Sequence, residues 1–138
     1  MKKCLICREE FKPFVDFGRM PIANAFSTQQ ELKNEYFFSM RVGFCSNCNM
    51  VQLLEQPERE KMFHDSYAFF SSTSNHMMNH FKKFANSIIT IQNLAEKSFV
   101  VEIGSNDGIM LQNFLSENIP CLGIEPSTNV ASVAMEKG

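Results

Sequence analysis

The stretch Phe99-Val100-Val101-Glu102-Ile103-Gly104-Ser105-Asn106-Asp107-Gly108 decides the fold of this chain. Its first five residues have the length and the β-branched side chains that are typical of a buried parallel strand. Glycines then interrupt the run just before a helical pattern begins at Ile109. Glycine lets the backbone approach a ligand closely, and asparagine is one of the few other residues that tolerates a positive φ. The stretch therefore predicts a strand, a tight turn and a helix.

A second apolar stretch at residues 121–124 ends at Glu125, which lies 17 residues beyond Gly108. A carboxylate at the end of the next strand, about 20 residues past a glycine turn, is placed to accept the hydroxyl groups of a ribose. The two strands thus predict an α/β fold with a nucleotide-type cofactor site. The alternative is an ordinary strand-turn-helix connection in which Glu125 is solvated near a helix start.

The glycine pattern favours S-adenosylmethionine over a nicotinamide dinucleotide. Asn106 stands where the dinucleotide fingerprint has its second glycine, so a pyrophosphate has no obvious room against the turn. A fragment of a nicotinamide-dependent enzyme remains a weaker alternative. We expect Glu125 to hold the ribose and the turn to contact the methionine end. The expected cofactor-binding residues of the turn are Glu102, Gly104, Ser105, Asn106, Asp107 and Gly108.

Two CxxC motifs carry four cysteines, which are Cys4, Cys7, Cys45 and Cys48. Each motif bends the backbone so that both sulfurs reach one ion, and four thiolates suit tetrahedral zinc. We predict a structural zinc site with no open coordination position; rubredoxin-like iron and unmetallated thiols are the alternatives. Cys121, in the second apolar stretch, is expected to be a buried core thiol.

The composition limits the classes of partner. A formal net charge of −2 predicts no general attraction to nucleic acid or to anionic membranes. No apolar run approaches the 18 or so residues that a membrane-spanning helix needs. Met1-Lys2-Lys3 leads into Cys4 with no apolar segment of signal-peptide length. We therefore expect a cytoplasmic protein with reduced thiols rather than a disulfide framework.

The pattern along the chain predicts three parts. Residues 1–56 form a zinc-binding domain, with short strands at 40–44 and 50–53 on either side of the second cysteine pair. Residues 57–97 are a helical connecting segment, in which apolar residues recur every three or four positions. Residues 98–138 alternate strand and helix. Ser71, Ser72 and Ser74 stand just ahead of the main helix, where hydroxyl groups can cap it.

Five motifs follow one another in a fixed order: residues 17–26, 45–53, 67–74, 102–108 and 123–127. Together they resemble the zinc-containing, S-adenosylmethionine-dependent C-methyltransferases that act on nucleotide-linked deoxysugars. The resemblance covers essentially the whole chain. It implies a small zinc-knuckle domain followed by the first part of a Rossmann-like class I methyltransferase domain, with a nucleotide-linked keto-deoxysugar as substrate.

Two positions depart from the pattern of this family. Asn49 stands where the family usually has glycine, and Phe69 replaces the second tyrosine of a Tyr-x-Tyr motif. Tyr67 is then the candidate active-site tyrosine; the alternative is a half-buried aromatic residue with its hydroxyl group in water. The resemblance implies that the histidine and glutamate bases, and the remainder of the domain, lie beyond Gly138. His76 and His80, one helical turn apart, are interpreted as a solvated helix edge.

The sequence thus predicts the N-terminal part of a C-methyltransferase, in which a base outside these residues removes the proton next to a keto group. The segment alone is expected to be inactive. The competing interpretation is a non-catalytic zinc-ribbon interaction module.

Overall fold

The computed structural model describes residues 2–23 and 26–138. Asn24 and Ala25, which belong to the motif at residues 17–26, lie outside the described residues, as does Met1. The chain divides into two compact units, Met1–Met62 and Phe63–Gly138. The segment at residues 57–97, which the sequence sets apart as a helical connection, is thus divided between them: residues 57–62 belong to the first unit and residues 63–97 to the second.

The first unit is built on a three-stranded antiparallel sheet in the order β1-β2-β3. The strands are β1 (Lys12–Pro21), β2 (Phe37–Phe44) and β3 (Val51–Leu53). A 3-10 turn at Glu31–Asn34 precedes β2, and a single helical turn, α1, spans Arg59–Met62. The two strands beside the second cysteine pair are confirmed, whereas β1 was not predicted from the sequence.

The core of the first unit is small. Phe11 and Leu54 pack with the buried thiols of Cys4 and Cys45. Gly43 lies directly beneath this cluster, because a Cβ there would stand 2.5 Å from the Phe11 ring and 2.9 Å from Leu54. So few apolar side chains bury little surface, and a bound metal ion would add the stabilisation that such a small core lacks.

The second unit contains two parallel strands, β4 (Val100–Ile103) and β5 (Cys121–Ile124), paired from Val100 with Cys121 to Ile103 with Ile124. The helices are α2 (Asn75–Gln92), α3 (Leu111–Leu115) between the strands, and α4 (Thr128–Glu136) after them. Both strands agree with the predicted apolar stretches. The element order β4-α3-β5-α4 brings the carboxyl ends of both strands, and the loops that follow them, to one edge.

Helix α2 begins and ends as its sequence indicates. The Ser74 hydroxyl accepts a hydrogen bond from the Met77 backbone N–H at 3.3 Å, so this serine is the N-cap. Asn93 ends the helix in the left-handed conformation, at φ 50°. Ala85 packs with Leu111, Phe114 and Ile119 to form the core of the unit, and Phe84 and Ile91 of the predicted apolar face remain exposed.

The two faces of the β4-β5 pair differ in burial. Val100 packs against the core cluster, whereas four apolar residues on the opposite face are about half exposed or more, namely Val101, Ile103, Leu122 and Ile124. Strand alternation places these side chains on one surface. Among residues 2–23 and 26–138, no helix combines the length and the hydropathy that crossing a membrane requires.

Candidate metal centre and cofactor cavity

The four CxxC cysteines converge in the first unit. Their Sγ atoms all lie within 4.8 Å of one another, with 3.6 Å between Cys4 and Cys48 and 3.5 Å between Cys7 and Cys45. Sulfurs at about 2.3 Å from a tetrahedral zinc ion stand roughly 3.8 Å apart. A disulfide needs about 2.05 Å, so the thiols are spaced for a shared ion rather than for a covalent bond.

The two CxxC motifs have the same backbone geometry. The Cys4 carbonyl accepts from the Arg8 N–H at 3.0 Å, and the Cys45 carbonyl accepts from the Asn49 N–H at 2.8 Å. Arg8 and Asn49 both adopt the left-handed conformation, with φ values of 65° and 59°. Asparagine occupies this conformation more readily than most residues, so Asn49 is compatible with the turn that follows the second cysteine pair.

Gln52 supports the cysteine cluster from strand β3. Its Nε2 donates to the Cys4 Sγ at 3.1 Å, and its Oε1 accepts from the Leu5 N–H at 3.0 Å. The side chain is 9% exposed. A residue that donates a hydrogen bond to a metal ligand, without binding the metal itself, orients that ligand and stabilises its charged form. The sequence analysis did not single out Gln52. A polar residue in a strand beside a CxxC motif could have indicated a side chain that donates a hydrogen bond to a cysteine.

The surroundings of the thiols favour a bound cation. A hydrogen bond from the Cys7 backbone lowers the pKa of Cys4 to about 6, with Gln52 contributing. The Met50 backbone favours the Cys48 thiolate, but burial and the three neighbouring thiols outweigh it and raise the pKa of Cys48 to about 12. Four thiols this close cannot all ionise unless a positive charge lies between them.

The second unit has a cavity of about 460 Å³ at the carboxyl ends of β4 and β5. Ligands of open α/β sheets bind in such crevices, beyond the carboxyl ends of the strands. Four sequence-predicted residues come together here: Tyr67, Gly104, Asn106 and Glu125. Phe69, which the resemblance placed beside the candidate active-site tyrosine, also lines the cavity. The sequence did not single out the other lining residues, which are Phe63, Ser71, Ile103, Ile124 and Pro126.

Gly104 and Glu125 suit a ribose-containing ligand in different ways. Gly104 lines the cavity with φ 77°, and a Cβ built on it meets no atom within 4 Å, so the space beside its backbone is open. The Glu125 carboxylate accepts from the Asn106 N–H at 3.0 Å and from the Ser127 N–H at 2.9 Å. Each of its oxygens keeps a further lone pair, so two ribose hydroxyl groups fit the same carboxylate.

The other predicted cofactor residues do not line this cavity. Ser105 is 2% exposed and packs over Gly123, whose Cβ would lie 2.5 Å from the serine Oγ. A Cβ on Gly108 would meet Ala134 at 3.3 Å, so this glycine permits close packing against α4. Asp107 is 1% exposed. Tertiary packing determines where Ser105, Gly108 and Asp107 lie, and the spacing of residues in the sequence does not reveal this packing.

Glu102 extends from β4 on the face of Val100 and likewise does not line the cavity. One of its carboxylate oxygens is buried with no hydrogen-bond partner among the described residues. Burial raises the pKa of Glu102 to about 7. Cys121 on the neighbouring strand is partly rather than fully buried, and burial together with the charge of Glu102 raises its pKa.

Comparison with known proteins agrees with the metal centre. Residues 4–63 match a family of domains described as "Putative zinc binding domain". This range contains all four clustered cysteines and nearly coincides with the first unit, which is therefore similar to a zinc-binding domain.

A longer relative is the C-methyltransferase NovU of Streptomyces niveus. It is 27% identical to this chain over 99% of the chain, which spans 33% of the length of that enzyme. The two matches confirm the resemblance to the N-terminal portion of the zinc-containing C-methyltransferases.

Proposed function

We propose that this chain forms the N-terminal part of an S-adenosylmethionine-dependent C-methyltransferase that acts on a nucleotide-linked keto-deoxysugar. The observation that carries the proposal is the cavity at the ends of β4 and β5, where the bare backbone of Gly104 faces the same space as the Glu125 carboxylate. In this proposal the β4-α3-β5-α4 unit is the first part of a Rossmann-like class I methyltransferase domain.

In the proposed site, Glu125 binds the ribose hydroxyl groups and Gly104 lets the methionine end approach the backbone of the turn. Bound S-adenosylmethionine would supply an electrophilic methyl group for transfer to a carbon nucleophile. Phe63, Tyr67 and Phe69 give one wall of the cavity an aromatic surface, which favours an apolar or planar part of a ligand and excludes water.

The zinc-binding domain has a structural role in this proposal. Zinc bound by Cys4, Cys7, Cys45 and Cys48 would have no open position for a substrate or a water molecule, so it would not take part in the chemistry. We propose that it stabilises the fold of the domain and that the domain supports docking of the sugar nucleotide. Tyr67 is the candidate catalytic residue on this chain, because it lines the cavity; the proton-abstracting bases belong to other parts of the enzyme. We further propose a cytoplasmic enzyme that binds neither nucleic acid nor membranes.

Titration calorimetry with S-adenosylhomocysteine tests the cofactor assignment. We expect saturable binding, and a loss of about tenfold or more for Glu125→Gln, because a charge-assisted hydrogen bond is worth about 1.5–3 kcal/mol. The matched control is Glu117→Gln, since Glu117 is exposed and outside the cavity. Equal affinity of the wild type and Glu125→Gln, or preferential binding of NAD, would refute the proposal.

A further inference from the structure

Residues 65–72, which we name the strap, run along the edge where β4 and β5 end. The first half of the strap is bound to the start of α4. Asn129 Nδ2 donates to the Tyr67 carbonyl at 2.8 Å, and the Thr128 hydroxyl group bonds to the Asp65 carboxylate. These contacts hold the backbone of Tyr67 and the side chain of Asp65, the residues on either side of Ser66.

The second half of the strap is bound to the glycine turn. Asn106 holds it with both ends of its amide: Nδ2 donates to the Phe69 carbonyl at 3.1 Å, and Oδ1 accepts from the Ser71 N–H at 2.8 Å. Asp107 accepts from the Ser72 N–H at 3.1 Å and also bonds to the Ser72 hydroxyl group. Two consecutive residues of the turn therefore bind three residues of the strap, Phe69, Ser71 and Ser72.

The Asp107 carboxylate is committed to this junction. It is 1% exposed, and Lys137 Nζ lies 3.5 Å from its Oδ2. The same ammonium group donates to the Asp107 carbonyl at 2.6 Å and to the Ser72 hydroxyl group at 3.2 Å. All these contacts of the Asp107 side chain are made by Oδ2, and Oδ1 is buried without a hydrogen-bond partner among the described residues. At 1% exposure, the side chain has no surface left for a ligand in the cavity.

The strap supplies the aromatic wall of that cavity through Tyr67 and Phe69. The Tyr67 ring packs against Phe63, with 5.8 Å between the ring centroids. Phe69 is 52% exposed, so its ring is the part of the wall with most surface left to cover. Large apolar surface that faces a cavity is a natural contact for a ligand.

We propose that Asn106 and Asp107 are positioning residues that hold the strap as a fixed aromatic wall, against which a ligand of this cavity packs through Phe69. The inference rests on the proposed function for the identity of that ligand, but the anchoring of the strap does not depend on it. Asp107 in particular affects the ligand through the strap and not by contact.

Tyrosine fluorescence reports the anchoring without any ligand. The chain has no tryptophan and two tyrosines, so Tyr36→Phe leaves Tyr67 as the sole emitter. In this background we expect Asn106→Gly to raise the acrylamide quenching constant about twofold, because a released strap exposes the ring. Asn118→Gly is the matched control: Asn118 also has a positive φ, at 56°, but lies on the loop after α3. Ser72→Ala, which deletes only a hydroxyl group, should give a smaller rise.

A double-mutant cycle separates positioning from direct contact. Phe69→Ala and Asp107→Asn should each weaken S-adenosylhomocysteine binding, by about fivefold or more. Their combined effect should be clearly less than the sum, because both act on the same contact. Additive losses would mean that Asp107 acts independently of Phe69, and unchanged quenching in Asn106→Gly would mean that the strap is not held by the turn; either result overturns the proposal. If quenching rises but the wild type does not bind S-adenosylhomocysteine, the anchoring stands and the methyltransferase assignment fails.

Discussion

The Glu125 carboxylate accepts a hydrogen bond from the backbone N–H of Asn106 at 3.0 Å, across 19 positions of sequence. The bond joins the loop after β5 to the glycine turn after β4, and Asn106 receives it in the left-handed conformation, at φ 49°. The residue expected to hold a ribose therefore also shapes the turn beside it.

Replacing Glu125 should lower the stability of the second unit. Glu125→Ala removes the acceptor of two backbone N–H groups, which should reduce the free energy of unfolding by about 1–3 kcal/mol. Glu125→Gln keeps one acceptor oxygen, so its free energy of unfolding should fall less than that of Glu125→Ala. Urea denaturation followed by circular dichroism measures both. Glu117→Ala should change the stability by less than about 0.5 kcal/mol, as surface substitutions do; a Glu125→Ala protein as stable as wild type would contradict the observed hydrogen bonds.

The parts of the fold that could be predicted from the sequence have local causes. Strand β5 coincides with the apolar stretch at residues 121–124, because glycine and apolar runs mark strand and turn within a few positions. The proximity of the two cysteines within each CxxC motif follows in the same way from their spacing, whereas the convergence of the two motifs was predicted from the four thiolates that a tetrahedral zinc ion needs. Strand β1 is different: its pairing with β2 is interrupted between Pro13 and Val15 and again between Asp16 and Arg19, so no regular alternation marks it in the sequence.

The strap could not be predicted, because a serine that caps a helix and a serine that binds a distant loop look the same in a sequence. Ser74 caps α2, as expected. Ser71 and Ser72 instead bond to Asn106 and Asp107, 35 positions away. For the same reason the glycine-turn pattern predicted that Asp107 contacts a cofactor, whereas packing turns its side chain into the protein.

The metal centre leads to a second prediction. The protein should bind one zinc ion, and Cys45→Ser should abolish stoichiometric binding, because one of four thiolate ligands is lost. Removal of the metal with a chelator should unfold the first unit, since metal affinity is coupled to folding of so small a core. Elemental analysis measures the metal, and circular dichroism measures the unfolding.

Cys121→Ala is the control for the metal centre. Cys121 belongs to the second unit and is absent from the cysteine cluster, so its replacement should leave the zinc content unchanged. A preparation that contains iron instead of zinc, or a stoichiometric disulfide without metal, would contradict the zinc assignment.

The third prediction concerns Arg8 and Asn49, which follow the two CxxC motifs and adopt the left-handed conformation. Arg8 pays a steric penalty at φ 65° that glycine avoids, so Arg8→Gly should stabilise the metal-loaded first unit by about 0.5–1 kcal/mol. Asn49→Gly should gain less, because asparagine tolerates this conformation. Thermal unfolding of the zinc-loaded protein measures both changes. Glu9→Gly is the control, because Glu9 is next to Arg8 but has a negative φ, and this substitution should destabilise the unit. If Glu9→Gly instead stabilised the unit as much as Arg8→Gly, relief of backbone strain would not be the cause.

The fourth prediction concerns the pH dependence of stability. Burial raises the pKa of Glu102 to about 7, whereas a glutamate in an unfolded chain titrates near 4.3. Between these values the unfolded chain loses the proton while the folded protein keeps it. The free energy of unfolding should therefore fall as the pH rises from about 4 to 7. Because the carboxyl group is partly exposed, solvent screening limits this loss to about 1 kcal/mol.

Glu102→Gln isolates this contribution, because the amide has a similar shape and does not titrate. The variant should be more stable than wild type at pH 8, where the buried carboxylate is charged, and the difference should disappear near pH 4, where both proteins are neutral at this position. Urea denaturation across this pH range measures it, with Glu117→Gln as the exposed control. A Glu102→Gln protein that loses stability equally at both pH values would show that the carboxyl group makes a hydrogen bond instead, since a desolvated charge destabilises only where it is ionised.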